Sequence, residues 1–424
     1  MPDIAFRRHL FNGGEGMRKT IRVFTAFMAV FVTMLFIVYG ASEYITPSEI
    51  KTNIPESNFI NGSFPFSLRY DEPQTVAAQA DIQKNVGARL MIFNTFPIKN
   101  VSVSIEQRRY VIPGGELFGI RLYTNGLVVS ETSEVGNTGK SPANLAGIES
   151  GDIILSVNGN TLTSSEQLLR EVEKSGGSPV KIRYMKGEKI TDTLLTPIYD
   201  TSSEKYRAGL YVRDSCAGIG TMTYTDPANS SFGGLGHGIC DNESGCLMPL
   251  LSGDIVDADI SSVRKGMCGS PGSVCGHFRN NESRGTLILN SEHGVYGKIK
   301  NVDKSKKAIP VAFKQEIVRG NAQLISTIDE NKPEYYDIEI EDISYNNLSR
   351  TKNMVIKVTD ERLLRKTGGI VQGMSGSPII QNGMLTGAVT HVFVNDPSRG
   401  YAVFAENMLE MSENISQTID DSAA

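Results

Sequence analysis

The pattern of hydrophobic and polar positions changes along this chain, and each change marks a predicted segment. An uncharged apolar run covers residues 23–41, which is long enough to cross a bilayer as a helix. Beyond residue 108 the apolar residues fall into short alternating runs, as in Val180–Tyr184 and Tyr336–Ile340. Alternation with a period of two is typical of strands. The chain is therefore predicted to be mainly β, behind an N-terminal helix.

The charges around the apolar run predict its orientation. Five basic residues precede it, and the first basic residue after it is Lys51. Because basic residues stay on the cytoplasmic side, we expect a cytoplasmic tail over residues 1–22 and a transmembrane signal-anchor over residues 23–41. Everything beyond would lie outside the cytoplasm. A cleaved signal peptide is the alternative, since Gly40 and Ala41 are small, but the run is longer than an ordinary signal core.

Residues 42–105 are predicted to form a stalk or linker. The segment is interrupted by Pro47, Pro55, Pro65 and Pro73, and a small strand pair is expected between Val86 and Pro97. An exposed segment of this kind next to a membrane is a favourable site for proteolytic cleavage.

A separate module is expected over residues 108–197. Its central run, Ala146-Gly-Ile-x-x-Gly-Asp-Ile-Ile-x-x-Val-Asn-Gly159, resembles a PDZ domain, and helical spacing follows over residues 164–174. The resemblance implies a groove between a strand and a helix, in which an extended peptide adds as a further strand. Phe118, Gly119 and Ile120 match the apolar-Gly-apolar loop that receives a peptide carboxylate, so they are the expected peptide-binding residues.

The last module, residues 200–424, contains many short alternating runs separated by turns, which predict one closed barrel or two. Asn382-Gly383 between apolar runs predicts a β-hairpin. Residues 405–411 have the spacing of a C-terminal helix. Two barrels with a cleft between them would place His237 on the first barrel and Ser375 on the second.

Composition narrows the range of partners and cofactors. The net charge is only -5 and no basic patch stands out, so nucleic acid is not an expected partner. The five cysteines contain no C-x-x-C pair, which disfavours a zinc site, and no metal or other cofactor is expected. An exported domain is free to oxidise one or two cysteine pairs, and the sequence does not say which.

The candidate nucleophile is Ser375, which lies between two glycines in Gly373-Met-Ser-Gly-Ser-Pro378. Glycines permit a tight loop whose own N–H groups can face a developing oxyanion, here those of Gly373 and Ser375. His237 is the candidate base because it is framed by Gly236 and Gly238. A third group must orient the imidazole, and Asp360 is the expected acid.

The whole order of segments resembles the stage IV sporulation protein B serine peptidase family. The matching motifs include Arg213-Asp-Ser-x-Ala-Gly-Ile-Gly-Thr-Met-Thr223, and His237, Asp360 and Ser375 take the family's triad positions. The resemblance implies a chymotrypsin-like double β-barrel peptidase that is secreted into the space between the two forespore membranes. It also implies self-cleavage and cleavage of a membrane-bound regulator of an intramembrane protease, which activates a late mother-cell sigma factor.

Several features depart from the expected pattern and leave alternatives open. Met374 replaces the aspartate that precedes the nucleophile in chymotrypsin relatives, so zymogen control must come from elsewhere. Asp241 and Asp254 are rival acids, because both lie near His237 in the sequence. A second stretch, residues 266–271, repeats the nucleophile pattern with Cys268 in place of the serine. His391 is either a competing base or part of the pocket wall.

Two other functional classes remain open, namely a catalytically inactive membrane-anchored PDZ adaptor and a binding module organised by a metal. Within the peptidase interpretation, the PDZ domain is expected to govern self-processing, and the chain's own stalk is one candidate ligand for its groove. The oligomeric state and the cleavage specificity are not determined by the sequence.

Overall fold

The computed structural model describes residues 20–34, 36–37, 39–40, 46–53, 66–70, 84–92, 95–345 and 351–413. The chain divides into two compact units, one formed by residues 1–106 and 344–346, the other by the rest. Most of the predicted cytoplasmic tail, residues 1–19, lies outside the described residues.

The N-terminal apolar segment is helical where it is described, over residues 20–34, 36–37 and 39–40. Among the described residues, no helix combines the length and apolar character needed to span a membrane. The signal-anchor predicted over residues 23–41 is therefore not supported.

The predicted stalk contains a four-stranded sheet with its own small core. Its strands are β1 (Glu49–Thr52), β2 (Phe66–Tyr70), β3 (Lys84–Ile92) and β4 (Phe96–Ile105). They lie in the order β1-β4-β3-β2, and β3 pairs antiparallel with β4 where the strand pair was expected. Ile50, Leu90 and Val103 are among the buried residues that pack together on one face. Alternating apolar side chains thus give this segment more order than its prolines suggest.

The second unit begins with two strands, and the second of them takes part in both of its first two substructures. Strand β5 (Tyr110–Pro113) is followed by the long strand β6 (Leu117–Thr132). The second half of β6 pairs with β7 in a PDZ-type module. The remaining elements of this module are α1 (Pro142–Leu145), β7 (Ile153–Val157), β8 (Asn160–Thr161), α2 (Ser165–Lys174), β9 (Val180–Lys186), β10 (Lys189–Leu195), β11 (Ile198–Asp200) and β12 (Lys205–Arg207).

Helix α2 forms where the sequence predicts it, and its ends explain its limits. The Ser164 side chain accepts a hydrogen bond from the N–H of Gln167, which caps the first turn. Leu168 and Val172 are buried in the core of the module, whereas Leu169 stays 46% exposed. The helix therefore leaves one large apolar side chain in contact with solvent.

The first half of β6 belongs to a six-stranded barrel. The other strands of this barrel are β13 (Leu210–Asp226), β14 (Ser231–Gly234), β15 (Leu250–Arg264), β16 (Ser273–Ser291) and β17 (Gly294–Ile299). The ring closes because β6 pairs with β13 as well as with β15. Phe118, Ile120 and Leu122 alternate along β6 and are buried in the barrel core, as the period-two rule requires.

The second barrel is closed by six further strands. They are β19 (Gly320–Asp329), β20 (Lys332–Ile343), β21 (Met354–Val358), β22 (Pro378–Gln381), β23 (Met384–Phe393) and β24 (Asp396–Phe404). Asn382 and Gly383 both have positive φ angles, of 52° and 75°, and they turn β22 into β23. The expected hairpin is thus confirmed, with the turn that its twist favours.

Short elements complete the second unit. They are β18 (Ile309–Pro310), a 3₁₀ turn (Lys314–Glu316), α3 (Glu361–Thr367) and α4 (residues 405–413). The fold is mainly β, and the C-terminal helix lies where the sequence predicts it. Helix α3 ends at Gly368 and leads directly into the loop that carries the candidate nucleophile.

Candidate active site

A cleft of about 1240 Å³ opens on the second unit and is lined by residues from both barrels. His237 from the first barrel and Ser375 from the second line this cleft, as does His391 from β23. The structure therefore brings the predicted base and the predicted nucleophile to one site. The other lining residues are largely apolar, and they include Ile219, Leu247, Ile370, Val371, Val392 and Val394.

The loop that carries Ser375 is held from the first barrel by Thr221. The N–H of Thr221 donates to the carbonyl of Ser375 at 3.1 Å, and its hydroxyl donates to the carbonyl of Gly373 at 2.7 Å. Thr221 is fully buried on β13. Gly373 and Gly376 have φ angles of 98° and 92°, which only glycine adopts readily. The sequence requirement for these two glycines thus has a direct backbone cause.

The backbone N–H groups of this loop divide into two sets. Those of Met374, Gly376 and Ser377 donate to carbonyls of Val371, Val389 and Met374. Within residues 351–413 and their described neighbours, the N–H groups of Gly373 and Ser375 have no such acceptor. These are the two donors that the sequence assigned to the oxyanion hole. Free donors next to a nucleophile suit the stabilisation of a tetrahedral intermediate.

In this structure Ser375 is not hydrogen-bonded to a base. Its hydroxyl donates to the carbonyl of Thr390 at 2.9 Å. Attack on a peptide therefore requires the Ser375 side chain to leave Thr390 and turn toward His237. The hydrogen bond between a nucleophile and its base is often long or absent in a free enzyme and tightens only when substrate is bound.

His237 follows β14 on a tight loop in which Leu235 and Gly236 both have positive φ angles. Its Nδ1 atom lies 2.9 Å from the carbonyl of Gly238, which is an acceptor, so Nδ1 carries the proton. Nε2 then holds the lone pair that a general base needs. Desolvation lowers the pKa of His237, and this effect outweighs the hydrogen bond to Gly238. The imidazole is neutral at pH 7, as a base must be.

Asp360 occupies a different place from the one expected of a triad acid. It is the N-cap of α3, and its carboxylate accepts from the N–H groups of Arg362 and Leu363 at 2.8 and 3.3 Å. It also forms an ion pair with Arg362 at 2.9 Å. Desolvation acts to raise the pKa of Asp360, but the hydrogen bonds from Arg362 and the backbone outweigh it and lower the pKa. The structure does not bring this carboxylate to His237, so geometry gives the assignment no support.

The two rival acids are also committed to other partners. Asp241 accepts from Ser130 and Ser244 and pairs with Arg213 at 2.6 Å. Asp254 forms a two-pronged ion pair with Arg121. Across the described part of the chain, no carboxylate lies within hydrogen-bond distance of His237.

His391 lies beside the candidate base. The two imidazole rings are 5.2 Å apart between centroids. Partial desolvation in the cleft, together with the neighbouring His237 and Lys352, lowers the pKa of His391 to about 4. His391 is thus a neutral ring on the cleft wall, next to the Thr390 carbonyl that holds Ser375.

The predicted peptide-binding residues must be corrected. Phe118, Gly119 and Ile120 lie near the start of β6, where β13 pairs on one side and β15 on the other. Phe118 is fully buried and Ile120 is 3% exposed. A Cβ atom on Gly119 would meet the Phe278 ring at 2.4 Å. No edge is left here for a peptide, because this glycine serves close packing inside the barrel.

The second copy of the nucleophile pattern forms a loop between β15 and β16. Cys268 is exposed and does not line the cleft, although Pro271 of the same loop does. All five cysteines have free thiols in the structure, and Cys216 and Cys240 line the cleft. Within the described residues, no group of three or more His, Cys, Asp or Glu side chains is arranged to hold a metal ion.

Thr221 is the main functional residue that the sequence did not single out. It lies in the Gly-Ile-Gly-Thr-Met-Thr run that carries the family resemblance, and this run is the sequence feature that could have indicated a role for it. The sequence does not reveal that β13 of the first barrel lies against the Ser375 loop of the second, which gives Thr221 its contacts.

Comparison with known proteins gives two domain matches. Residues 204–409 match the family model described as SpoIVB peptidase S55, and residues 139–184 match a PDZ domain model.

Three solved structures resemble parts of the chain. The PDZ domain of an SdrC-like protein from Listeria monocytogenes is 22% identical, with a TM-score of 0.19, and the match covers 21% of this chain and 90% of that one. The HtrA-type protease AlgW with a decapeptide is 13% identical, with a TM-score of 0.30, covering 48% of this chain and 55% of that one. The Rv3671c protease in an inactive form is 12% identical, with a TM-score of 0.28, covering 46% and 84%.

Proposed function

We propose, from the premise that this chain belongs to the SpoIVB peptidase S55 family and is a serine peptidase, that Ser375 and His237 perform the hydrolysis of a peptide bond. The observation that carries this proposal is that both residues line one cleft, beside two N–H groups that have no acceptor among the described residues.

The mechanism follows from the positions of the donors and acceptors. Nε2 of His237 takes the proton of Ser375 as the serine oxygen attacks the peptide carbonyl. The N–H groups of Gly373 and Ser375 hold the oxyanion that forms, and each such donor is typically worth roughly 3–4 kcal/mol. His237 then returns the proton to the leaving amine, and water releases the acyl group by the same steps.

The acid of the triad stays a prediction from the family resemblance, which assigns it to Asp360. In the described arrangement the orientation of His237 instead rests on the carbonyl of Gly238. A hydrogen bond from Nδ1 to a backbone carbonyl is sufficient to set the tautomer of the imidazole, so a Ser–His dyad needs no carboxylate for this purpose.

Labelling with a fluorophosphonate tests the proposed nucleophile without knowledge of a substrate. Wild type should be labelled and Ser375→Ala should not, while Cys268→Ala should label at the wild-type rate. Labelling of Ser375→Ala at a rate near wild type would move the nucleophile to Ser377 or Cys268. No labelling of folded wild type would favour the inactive-adaptor alternative.

We further propose the biological setting that the family resemblance implies. The peptidase would cleave itself and a membrane-bound regulator of an intramembrane protease during sporulation, and so activate a late mother-cell sigma factor. Its place outside the cytoplasm, between the forespore membranes, is supported by the basic residues before the apolar segment, residues 23–41. Loss of cleavage of a co-expressed candidate regulator in Ser375→Ala, with the protein still accumulating, is the expected result.

The PDZ module is proposed to bind an extended peptide, and a relocated groove fits this role. Over residues 210–220, β13 pairs with β6 along one edge, and the described strands leave its other edge unpaired. This edge runs beside α2, where the N–H and hydroxyl of Ser165 donate to Asp214 at 2.8 and 3.0 Å. The exposed Leu169 of α2 offers an apolar contact. A strand added here would meet backbone donors and acceptors on one side and an apolar helix face on the other.

Regulation of self-processing by this groove is tested by Leu169→Glu. The purified protein from residue 42 onward should then change the rate or pattern of its N-terminal cleavage, while its fluorophosphonate labelling stays at the wild-type level. Identical fragments at identical rates would leave the module without a part in self-processing.

A further inference from the structure

The loop between β15 and β16, residues 266–272, carries the second copy of the nucleophile pattern and is not explained by the proposed reaction. It contacts the second barrel at several backbone positions. The N–H of Gly266 donates to Thr367 at 2.8 Å, and the N–H of Gly269 donates to Val394 at 2.8 Å. The loop therefore bridges from the first barrel to the two segments that flank the cleft on the second.

The end of this loop forms a two-bond bridge with the nucleophile loop. The N–H of Gln372 donates to the carbonyl of Gly272 at 2.9 Å, and the N–H of Val274 donates to the carbonyl of Gln372 at 2.7 Å. Ser273 and Gln372 thus pair as in a parallel sheet.

This bridge acts on the peptide unit that supplies one oxyanion donor. The carbonyl of Gln372 and the N–H of Gly373 belong to the same planar peptide and point in opposite directions. When Val274 holds the carbonyl, the N–H of Gly373 is fixed on the other side. Without that hydrogen bond the unit can rotate, since Gly373 is a glycine at φ 98°.

Side-chain packing reinforces the same contact. A Cβ atom on Gly373 would lie 3.0 Å from Cβ of Val274, and one on Gly272 would lie 2.8 Å from Cγ1 of Val371. The same Cβ atom on Gly272 would lie 2.3 Å from the carbonyl oxygen of Arg264 and 2.4 Å from the backbone nitrogen of Gly266, so its own loop leaves no room for it either. The approach of the two loops thus depends on the absence of a side chain at residue 272.

We propose that residues 272–274 are positioning residues for the oxyanion hole, which hold the Gln372–Gly373 peptide with its N–H directed at the reacting carbonyl. This inference rests on the proposed function, because it concerns the same hole. The nucleophile loop alone does not fix the orientation of the Gly373 N–H group. The matching loop from the first barrel holds it in place and so completes the oxyanion hole.

The test uses Gly272→Ala, with the exposed residue Met267 of the same loop changed in the matched control Met267→Ala. Saturation kinetics with a fluorophosphonate separate the binding constant from the labelling rate constant. We expect the rate constant of Gly272→Ala to fall by roughly 10²–10³, as for loss of one oxyanion donor. The binding constant should change less than about threefold, and Met267→Ala should behave as wild type.

A second variant guards against misfolding of Gly272→Ala. Val274→Ala keeps the N–H but loosens the packing against Gly373, and we expect a fall of about tenfold in the rate constant with circular dichroism unchanged. The inference is overturned if folded Gly272→Ala keeps the wild-type rate constant, or if its loss lies in the binding constant. It is also overturned if Gly272→Ala fails to fold and folded Val274→Ala reacts as wild type. Failure of wild type itself to label would instead count against the proposed function.

Discussion

Substitution of Asp360 separates a helix cap from a catalytic acid, and the two roles predict very different magnitudes. As N-cap of α3, its carboxylate accepts two backbone N–H groups. Loss of such a cap costs about 1 kcal/mol, and the ion pair with the exposed Arg362 adds little because solvent screens it. Removal of a triad acid lowers the turnover number by roughly 10⁴-fold.

Two variants of Asp360 distinguish these roles. Asp360→Ser keeps an oxygen that can cap α3 but removes the carboxylate, whereas Asp360→Ala removes both. If the carboxylate is a cap, Asp360→Ser should label with fluorophosphonate within about threefold of wild type. Asp360→Ala should lower the free energy of unfolding by about 1 kcal/mol, with labelling of the folded protein nearly unchanged.

The assay combines urea unfolding, followed by circular dichroism, with the fluorophosphonate labelling rate of each variant. Ser164→Ala, which removes the cap of α2 far from any proposed catalytic contact, is the matched control for stability. If folded Asp360→Ser is as inactive as His237→Ala, the carboxylate acts on the base, and our inference from the geometry is wrong.

Three further predictions follow from the site and the N-terminus. Because burial lowers the pKa of His237, labelling should persist at pH 6.5 and decline only below it. The unfolded chain takes up this proton at about pH 6.5, so the histidine's contribution to stability also declines as pH falls below that value. A decline in labelling centred above pH 6.5 would contradict the assignment of His237 as the base. Thr221→Val should slow labelling and lower the unfolding free energy by about 1–3 kcal/mol, because the Gly373 carbonyl loses the hydroxyl that donates to it. Thr225→Val on the same strand is the control and should leave labelling unchanged. Equal labelling rates in the two variants would show that Thr221 has no part in the site. A reporter fused after residue 60 should be active only outside the cytoplasm, and cytoplasmic activity would refute the proposed topology.

The sequence was sufficient where a structural requirement is local. Asn382-Gly383 specifies its hairpin because both residues tolerate positive φ. The glycines around Ser375 specify a tight loop for the same reason. Asp360 also had a local explanation, because an aspartate just before Glu361 is a helix N-cap pattern. The local pattern and the family resemblance therefore predict different roles for this residue.

Other features depend on pairing between distant segments, which no local pattern reveals. Phe118-Gly119-Ile120 satisfies the motif of a carboxylate loop, and it equally satisfies a barrel strand that packs closely against Phe278. The free edge beside α2 instead belongs to residues some ninety positions later, in β13. The contact of residues 272–274 with Gln372 likewise joins segments about one hundred residues apart.

Strands β6 and β13 each run without a break from the PDZ-type module into the first barrel. The two substructures are therefore joined by two shared strands and not by a single linker that could be cut. A truncation that removes the PDZ module also removes half of two barrel strands, so loss of activity in such a deletion does not measure loss of ligand binding. For the same reason, insertion or exchange of this module between relatives should succeed only when both strands are transferred whole and in register.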